Sequence, residues 1–364
     1  MRALVVGSGG REHCLAWKLA QSPLLDELHA APGNPGIAEL GHCHPVRAED
    51  AEELLALARA LCIDLVVVGP EAPLVDGLAD RLRRGGVPVF GPSAAAARIE
   101  GSKSFAKEVM DAAGVPTARR LAVARPPCVV KADGLAAGKG VFVCRSEEEL
   151  RAGLASARAL GDRFLVEELL EGRELSVFAL SDGQRVVALG EARDYKRLSE
   201  GDAGPNTGGM GAYSPVEGIG QSELEEIVER IHRPVVAELA RRGAPYAGLL
   251  YAGLMLTEEG PKVLEFNCRF GDPETQALLP RMDGDLLPLL VACAQGDLAG
   301  LDPQVSSRAA VTVVLAAAGY PQSGDSGSPI VGIEAARALG ALVFHAGTAY
   351  REDTLVTGGG RILN

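Results

Sequence analysis

The sequence predicts an α/β protein with an α+β core, divided into several domains. Three observations carry this expectation. The 364 residues exceed the roughly 250–300 at which single hydrophobic cores stop growing. Residues 1–92 alternate apolar, strand-length runs with helix-length ones. Further on, apolar runs pair around two-residue turns, Asp182-Gly183 and Glu259-Gly260, as antiparallel hairpins do.

The elements are expected in the following order. Ala3–Val6 reads as a buried strand running into Gly7-Ser8-Gly9-Gly10, with a helix from Arg11 to about Gln21. Leu28–Ala31 is a second strand, closed by Pro32-Gly33-Asn34-Pro35-Gly36, and an Ala/Leu/Glu helix covers 49–61. Asp64–Val68 ends in Gly69-Pro70-Glu71, followed by a helix at 74–84 and a short strand at 87–90. Strands separated by helices of this length imply right-handed βαβ units and a parallel sheet. Ligands to such sheets lie beyond the carboxyl ends of the strands, here Gly7–Arg11, Pro32–Asn34 and Gly69–Glu71.

A helix at 102–113 is stopped by Gly114-Val115-Pro116. Strands at 128–131 and 141–144 flank a glycine-rich loop, with a helix near 146–159 and a strand at 164–168. Strands at 174–180 and 185–189 pair with each other. Residues 194–215 read as one long loop, 222–242 as one amphipathic helix, and 249–256 with 262–267 as a hairpin. The tail, 308–364, reads as strands and short turns.

Composition excludes several classes of function. Hydrophobic content of 47% supports sizeable cores, and the net charge of −12 argues against sequence-independent nucleic-acid binding, which needs phosphate-neutralising cations. Seven scattered cysteines without CxxC spacing fit reduced thiols rather than a disulfide framework or zinc site. His42-Cys43-His44 lacks a nearby fourth ligand, and neighbours on an extended chain face opposite ways. The opening residues run straight into a strand, so no signal peptide is expected. No apolar run approaches the roughly 20 residues of a membrane span.

The most informative segment is Val263–Arg269. Side chains two apart on a strand share a face, so Glu265, Asn267 and Arg269 project a carboxylate, an amide oxygen and a guanidinium together. A buried carboxylate needs a positive partner, and hard divalent cations take oxygen ligands while leaving room for phosphates. The spacing therefore suggests Mg²⁺ held against a nucleotide, in competition with a merely solvated polar face. In the first loop, Glu12 stands where a dinucleotide fingerprint has its third glycine, and the second strand ends in Pro32 rather than an acid. Free N–H groups at a helix start beside Arg11 suit a single phosphate better.

Lys131 and Lys139 flank a loop rich in glycine and alanine. Glycines let backbone approach phosphate closely, and lysines add point charges. The loop joins two strands and lacks the GxxxxGK[ST] pattern, so it is not a Walker loop. Val166–Leu170 followed by Glu174 would offer an apolar strand edge for a base and an acid for ribose hydroxyls. Asp194, Lys196, Arg197 and the run Gly204–Tyr213 fit a small zwitterion or carboxylate, since a loop of this length is usually functional.

These strings resemble one family. Gly7–His13, Ala31–Asn34, Val68–Leu74, Gly101–Lys103, Lys131–Val141, Gly204–Pro215 and Glu265–Gln276 match the glycinamide ribonucleotide synthetases of the ATP-grasp superfamily, along the whole chain. The resemblance implies an N-terminal parallel α/β pre-ATP-grasp domain (1–92) and an ATP-grasp domain (93–300) with a mobile lid at about 118–178. It also implies a small, shortened β-rich C-terminal domain (301–364). Between Thr117 and Cys128, and from Leu150 to Phe164, the chain is more compact than the family pattern. The family's activity joins glycine to 5-phosphoribosylamine with ATP, through glycyl phosphate, in the second step of purine synthesis.

The resemblance also assigns sites. Lys103, Lys131, Lys139, Glu167, Glu168, Leu170 and Glu174 would bind ATP, and Glu265 with Asn267 would hold Mg²⁺ or Mn²⁺. Gly9, Gly10, Arg11, Asn34 and Glu71 would line the phosphoribosylamine site. Asp194, Lys196, Asn206, Thr207, Gly208, Gly209 and Met210, with Arg269 and Asp272, would close around glycine. Lys131, Lys139 and Arg269 would act at the reacting centre. A cytoplasmic monomer or weak homodimer, binding neither nucleic acid nor membrane, is expected. A ligase for another amino acid and a catalytically silent nucleotide-binding scaffold are the competing readings.

Overall fold

The computed structural model describes residues 1–135, 140–201 and 203–364; Lys139 lies outside them. The N-terminal part is a five-stranded parallel sheet. Its order is His42–Cys43, Glu27–Pro32, Arg2–Gly7, Leu65–Val68, Val89–Phe90. The central strand is covered on both faces, as parallel strands require. Leu4 and Val6 pack with Leu54, Leu74 and Leu82 on one side, while Val5 packs with Leu15 and Leu19 of the first helix, Gly10–Leu19, on the other. The glycine-bearing loops expected at the carboxyl ends are there together: Gly33 N–H donates to Gly7 O at 3.1 Å and Gly69 N–H to Val6 O at 3.0 Å.

The helix expected at 74–84 is two helices, Glu71–Val75 and Leu78–Arg84, broken at Gly77. Gly77 has φ of +91°, a conformation that glycine adopts without strain. A helix at Ala94–Gly101, capped by the Ser93 side chain, precedes Lys103–Ala113 and was not expected from the sequence pattern. Its four consecutive alanines carry little hydrophobic periodicity.

Cys128–Ala132 is the centre of a three-stranded antiparallel sheet with Val141–Cys144 and Phe164–Glu168. The helix Glu147–Leu160 closes this module over a separate core of Cys128, Val130, Ala132, Cys144, Leu150 and Ala157.

The large central sheet is antiparallel throughout. Its order is Gly260–Asn267, Ala247–Thr257, Arg173–Asp182, Val186–Asp194, Gly211–Ser214, Ala310–Val313. The last strand comes from the C-terminal part. The segment expected as one loop at 194–215 therefore contributes Gly211–Ser214 to this sheet, and Arg197–Ser199 pairs with Ala203–Asn206. Sequence patterning missed these strands because glycine and proline dilute their alternation.

Gln221–Ile227 and Arg233–Arg241 are joined by a π-turn at Val228–His232. Pro234 has no N–H to give to the preceding turn, and the widened turn absorbs the missing bond. The apolar helix Leu286–Gln295, also unanticipated, buries Leu286, Leu287 and Leu290 against Phe178, Leu180 and Leu249 of the sheet. The tail forms a sheet of Asp325–Pro329, Thr354–Gly359 and Thr348–Arg351, and Arg361–Leu363 pairs with Leu315–Ala316.

Candidate functional site

The strand Gly260–Asn267 lies at the edge of the central sheet, with Glu265 opposite Gly253 and Asn267 opposite Tyr251. Asn267 is buried and Glu265 half-buried. Their shared face continues past the strand end, since Arg269 Nη2 donates to Asn267 Oδ1 at 3.3 Å. Arg269 also joins the N-terminal part: its Nε lies 3.2 Å from Glu71 Oε2 and its Nη2 3.2 Å from Glu100 Oε1. Burial opposes charge on this guanidinium, but Glu100 and Glu71 outweigh it and raise its pKa further.

Among the described residues, no hydrogen bond or ion pair reaches the Glu265 carboxylate. It stands near two ammonium groups. Burial pulls the Lys103 pKa down while Glu265 opposes the shift. Burial also acts to lower Lys196, yet Asp194, Glu174 and Glu265 are among the groups that hold it well above the ordinary lysine value. No group of three His, Cys, Asp or Glu side chains among the described residues could hold a metal alone. Two oxygen donors on one face, one of them an uncommitted carboxylate, nevertheless fit a hard cation whose other ligands are phosphate and water.

Lys131, the penultimate residue of its strand, has its Nζ 2.7 Å from Glu167 Oε2 and donates to Leu264 O at 2.9 Å, which ties it to the strand of Glu265. Glu167 Oε1 also meets Lys107 at 2.8 Å. Burial alone would raise the Glu167 pKa, but Lys131 and Lys107 override it and hold the carboxyl below its ordinary range. Glu168, next along the strand, faces the other way and takes Arg119 Nε at 2.8 Å, as strand alternation dictates. Lys103 Nζ donates to Gly134 O at 2.9 Å. Leu170 is half-buried just past the strand, and Glu174 pairs with Lys196 at 3.0 Å.

On the other side, Gly9 N–H donates to Glu12 Oε2 at 2.6 Å, and Glu12 Oε1 takes Arg11 Nε at 2.6 Å. A Cβ on Gly69 would meet Glu12 Oε1 at 2.0 Å. Glu12, where the fingerprint has a glycine, thus fills the cradle with its carboxylate, so the Gly9 N–H and Arg11 Nε expected to be free for a phosphate are instead committed to Glu12. Arg11 Nη1 donates to Phe270 O at 3.2 Å. Asn34 caps the short helix Pro35–Ala38 through Oδ1, and its Nδ2 donates to Ser8 O and His345 O. Gly10 is covered closely: a Cβ there would meet Asn364 Oδ1 at 2.1 Å and Gln276 Nε2 at 2.8 Å.

Asp194 pairs with Lys196 at 3.1 Å. Thr207 is anchored by both its N–H and its Oγ1 to Lys196 O, at 2.7 and 2.8 Å, and Met210 N–H donates to Tyr195 O at 2.8 Å. Asn206 ends its short strand opposite Arg197. Asp272 accepts from Gln276 Nε2 at 2.8 Å and from Arg361 Nη2 at 2.9 Å. Buried Glu274 accepts from Tyr251 Oη at 2.7 Å; burial first, then Asp194, pushes its pKa up.

Lys131 thus ties the Glu167 patch to the strand of Glu265, Arg269 ties that strand to Glu71, and Lys196 bridges Asp194 and Glu174, while Glu168 is turned toward Arg119. Sequence reasoning missed Lys107, Glu100, Tyr251 and Arg361. Lys107 had a signal, one helical turn after Lys103; the others gave no local one.

Models of the phosphoribosylglycinamide synthetase N domain, ATP-grasp (A) domain and C domain match residues 1–100, 101–275 and 310–364. A phosphoribosylamine–glycine ligase of Streptomyces coelicolor is 50% identical over 380 aligned residues, covering 100% of this chain and 90% of the relative. That of Rhizobium meliloti is 49% identical over 381, with the same coverage. The crystal structure of a phosphoribosylamine–glycine ligase from Thermotoga maritima superposes with a TM-score of 0.86 at 35% identity, covering 100% of this chain and 91% of that one. A biotin carboxylase domain from Hydrogenobacter thermophilus shares the fold, with a TM-score of 0.68 at 17% identity and coverage of 98% and 86%.

Proposed function

Because the chain belongs to the phosphoribosylglycinamide synthetase family, we propose that it performs the family's ligation: ATP, glycine and 5-phosphoribosylamine give glycinamide ribonucleotide, ADP and phosphate. It is an ATP-grasp carboxylate–amine ligase of purine biosynthesis. The observation that carries the site assignment is a chain of polar contacts. Lys131, paired with Glu167, donates to Leu264 O on the strand that carries Glu265 and Asn267, Arg269 joins Asn267 to Glu71, and Arg11 reaches Phe270 O beside Arg269.

A glycine carboxylate resists attack by an amine. Its oxygen therefore attacks the γ-phosphorus first, breaking the bond to the β–γ bridging oxygen and releasing ADP. The phosphoribosylamine nitrogen then adds to the glycyl phosphate carbonyl, loses a proton and expels phosphate as the amide forms. No side-chain nucleophile takes part. Lys131, fixed by Glu167 and Leu264 O, and Lys103 place positive charge beside the triphosphate. Arg269, Lys196 and Asp194 orient the glycine zwitterion, and Gly9, Gly10 and Arg11 line the phosphoribosylamine side of the site.

Glu265 and Asn267 would hold the divalent cation, Mg²⁺ or Mn²⁺, which when bound offsets charge on the transferred phosphoryl group. The three-stranded module with its own core (Cys128, Val130 and Leu150 among others) is suited to move as a unit and exclude water from the acyl phosphate. We assign it as the lid, within about 118–178, and divide the chain near residues 92 and 300. No helix among the described residues is long and apolar enough to cross a membrane. A cytoplasmic enzyme, monomeric or weakly dimeric, fits the small-molecule substrates.

ADP release measured with each substrate omitted in turn tests the proposal. Release should require all three. Strong turnover without glycine, or with another amino acid in its place, would replace the substrate assignment. No release under any condition would favour a nucleotide-binding scaffold.

A further inference from the structure

The Gly208–Gly209 turn is held from outside its own segment. Gly208 N–H donates to Tyr320 Oη at 3.0 Å, and Gly208 O accepts from Arg361 Nη1 at 2.7 Å. The same Nη1 donates to Asp272 O at 2.9 Å and lies 3.4 Å from Gly209 O, while Nη2 pairs with Asp272 Oδ2 at 2.9 Å. The turn also has no slack. A Cβ on Gly208 would meet both Arg361 Cζ and Tyr320 Oη at 3.3 Å, and one on Gly209, at φ +106°, would meet Pro273 Cδ at 2.4 Å. Both polar groups of the Gly208 backbone are thus committed to C-terminal side chains, 112 and 153 residues away.

We infer that Arg361 is a positioning residue for the ligation: its guanidinium fixes the Gly208–Gly209 turn against Asp272 and thereby sets the affinity of the amino-acid side of the site. This rests on the proposal that residues 206–210 and Asp272 surround glycine. A planar fork of five donors matches converging carbonyl and carboxylate oxygens; an ammonium on a flexible stem does not. The loop gains its shape from the tail of the chain, so the C-terminal strands become part of the glycine site. A staple that merely fastened the C-terminal strands would act differently. It would lower stability or the folded fraction and change every substrate's kinetics alike.

The test is a comparison of Arg361→Met, Arg361→Lys and Tyr320→Phe with the full-length parent enzyme. Each is followed by KM for glycine, ATP and phosphoribosylamine, and by thermal melting. In Arg361→Met the glycine KM should rise about tenfold or more, the worth of one charge-assisted hydrogen bond, with the ATP KM within about twofold. Arg361→Lys should recover only part of the loss, and Tyr320→Phe should raise the glycine KM by about threefold. Unchanged glycine KM, or equal changes for all three substrates, overturns the inference. Should Arg361→Met not fold, the Lys and Phe variants decide the matter by the same criteria. A parent enzyme that turns over without glycine refutes the substrate assignment instead, so the two failures are distinguishable.

Discussion

The Arg269 guanidinium lies 3.2 Å from the Glu71 carboxylate, 198 residues away in the chain. It lies equally far from Glu100, so one cation fastens the end of the Gly260–Asn267 strand to the helices Glu71–Val75 and Ala94–Gly101. The two acids differ in setting: the Glu100 side chain is 8% exposed and Glu71 28%, and Glu100 also accepts Cys268 N–H at 2.6 Å.

Removing these acids should therefore have different consequences. Glu100→Gln should cost no more than about 1 kcal/mol of stability, because burial already pushes the Glu100 pKa up and Arg269 keeps Glu71. Glu71→Gln should cost about 1 kcal/mol and act mainly on the KM for phosphoribosylamine. Thermal melting with steady-state kinetics checks this; a loss of several kcal/mol in Glu100→Gln, or an unchanged phosphoribosylamine KM in Glu71→Gln, would contradict it.

Glu167→Gln should destabilise the protein by about 3 kcal/mol, because it leaves Lys107, 2% exposed, and Lys131 without their shared carboxylate. ATP affinity should fall with it. Denaturant titration and nucleotide-binding calorimetry read the two effects. A variant as stable as the parent would mean that the triad is not where these charges are compensated.

Glu265→Ala should lower turnover on the order of 100-fold or more while melting within a few degrees of the parent. The side chain has no hydrogen-bond or ion-pair partner among the described residues, so its removal breaks no such pairing. Near-normal activity at saturating Mg²⁺ would remove Glu265 from the metal site.

Stability should fall on acidification below about pH 6.5. Burial, then His345 and Arg337, lowers the His13 pKa to about 3, and neutral Nδ1 accepts His345 N–H at 2.8 Å. Its folded value is below the unfolded one, so protons bind the unfolded chain preferentially between the two. The His13 contribution is present in full above about pH 6.5, and the loss, about 1.4 kcal/mol per pH unit, grows toward pH 3. Burial lowers His232 likewise, to about 4. His13→Asn, which keeps an acceptor at that place, should make the melting temperature less sensitive to pH between 6.5 and 5. An unchanged slope would show that His13 does not titrate on unfolding.

The parallel N-terminal sheet, its loop-bearing ends and the Glu265/Asn267/Arg269 face were legible in the sequence, because strand periodicity and glycine punctuation are local. The family strings added the reaction. Tertiary packing alone decided that Glu12 fills the first loop, that Asn34 is used as a cap, and that Lys107 rather than solvent shares Glu167 with Lys131. It also turned part of an expected loop into the strand Gly211–Ser214, which Ala310–Val313 completes as a neighbour, and brought Arg361 onto Gly208. Local spacing dictates which side chains share a face. Which charge meets which across 150 or more residues depends on how the layers pack, and no periodicity records that.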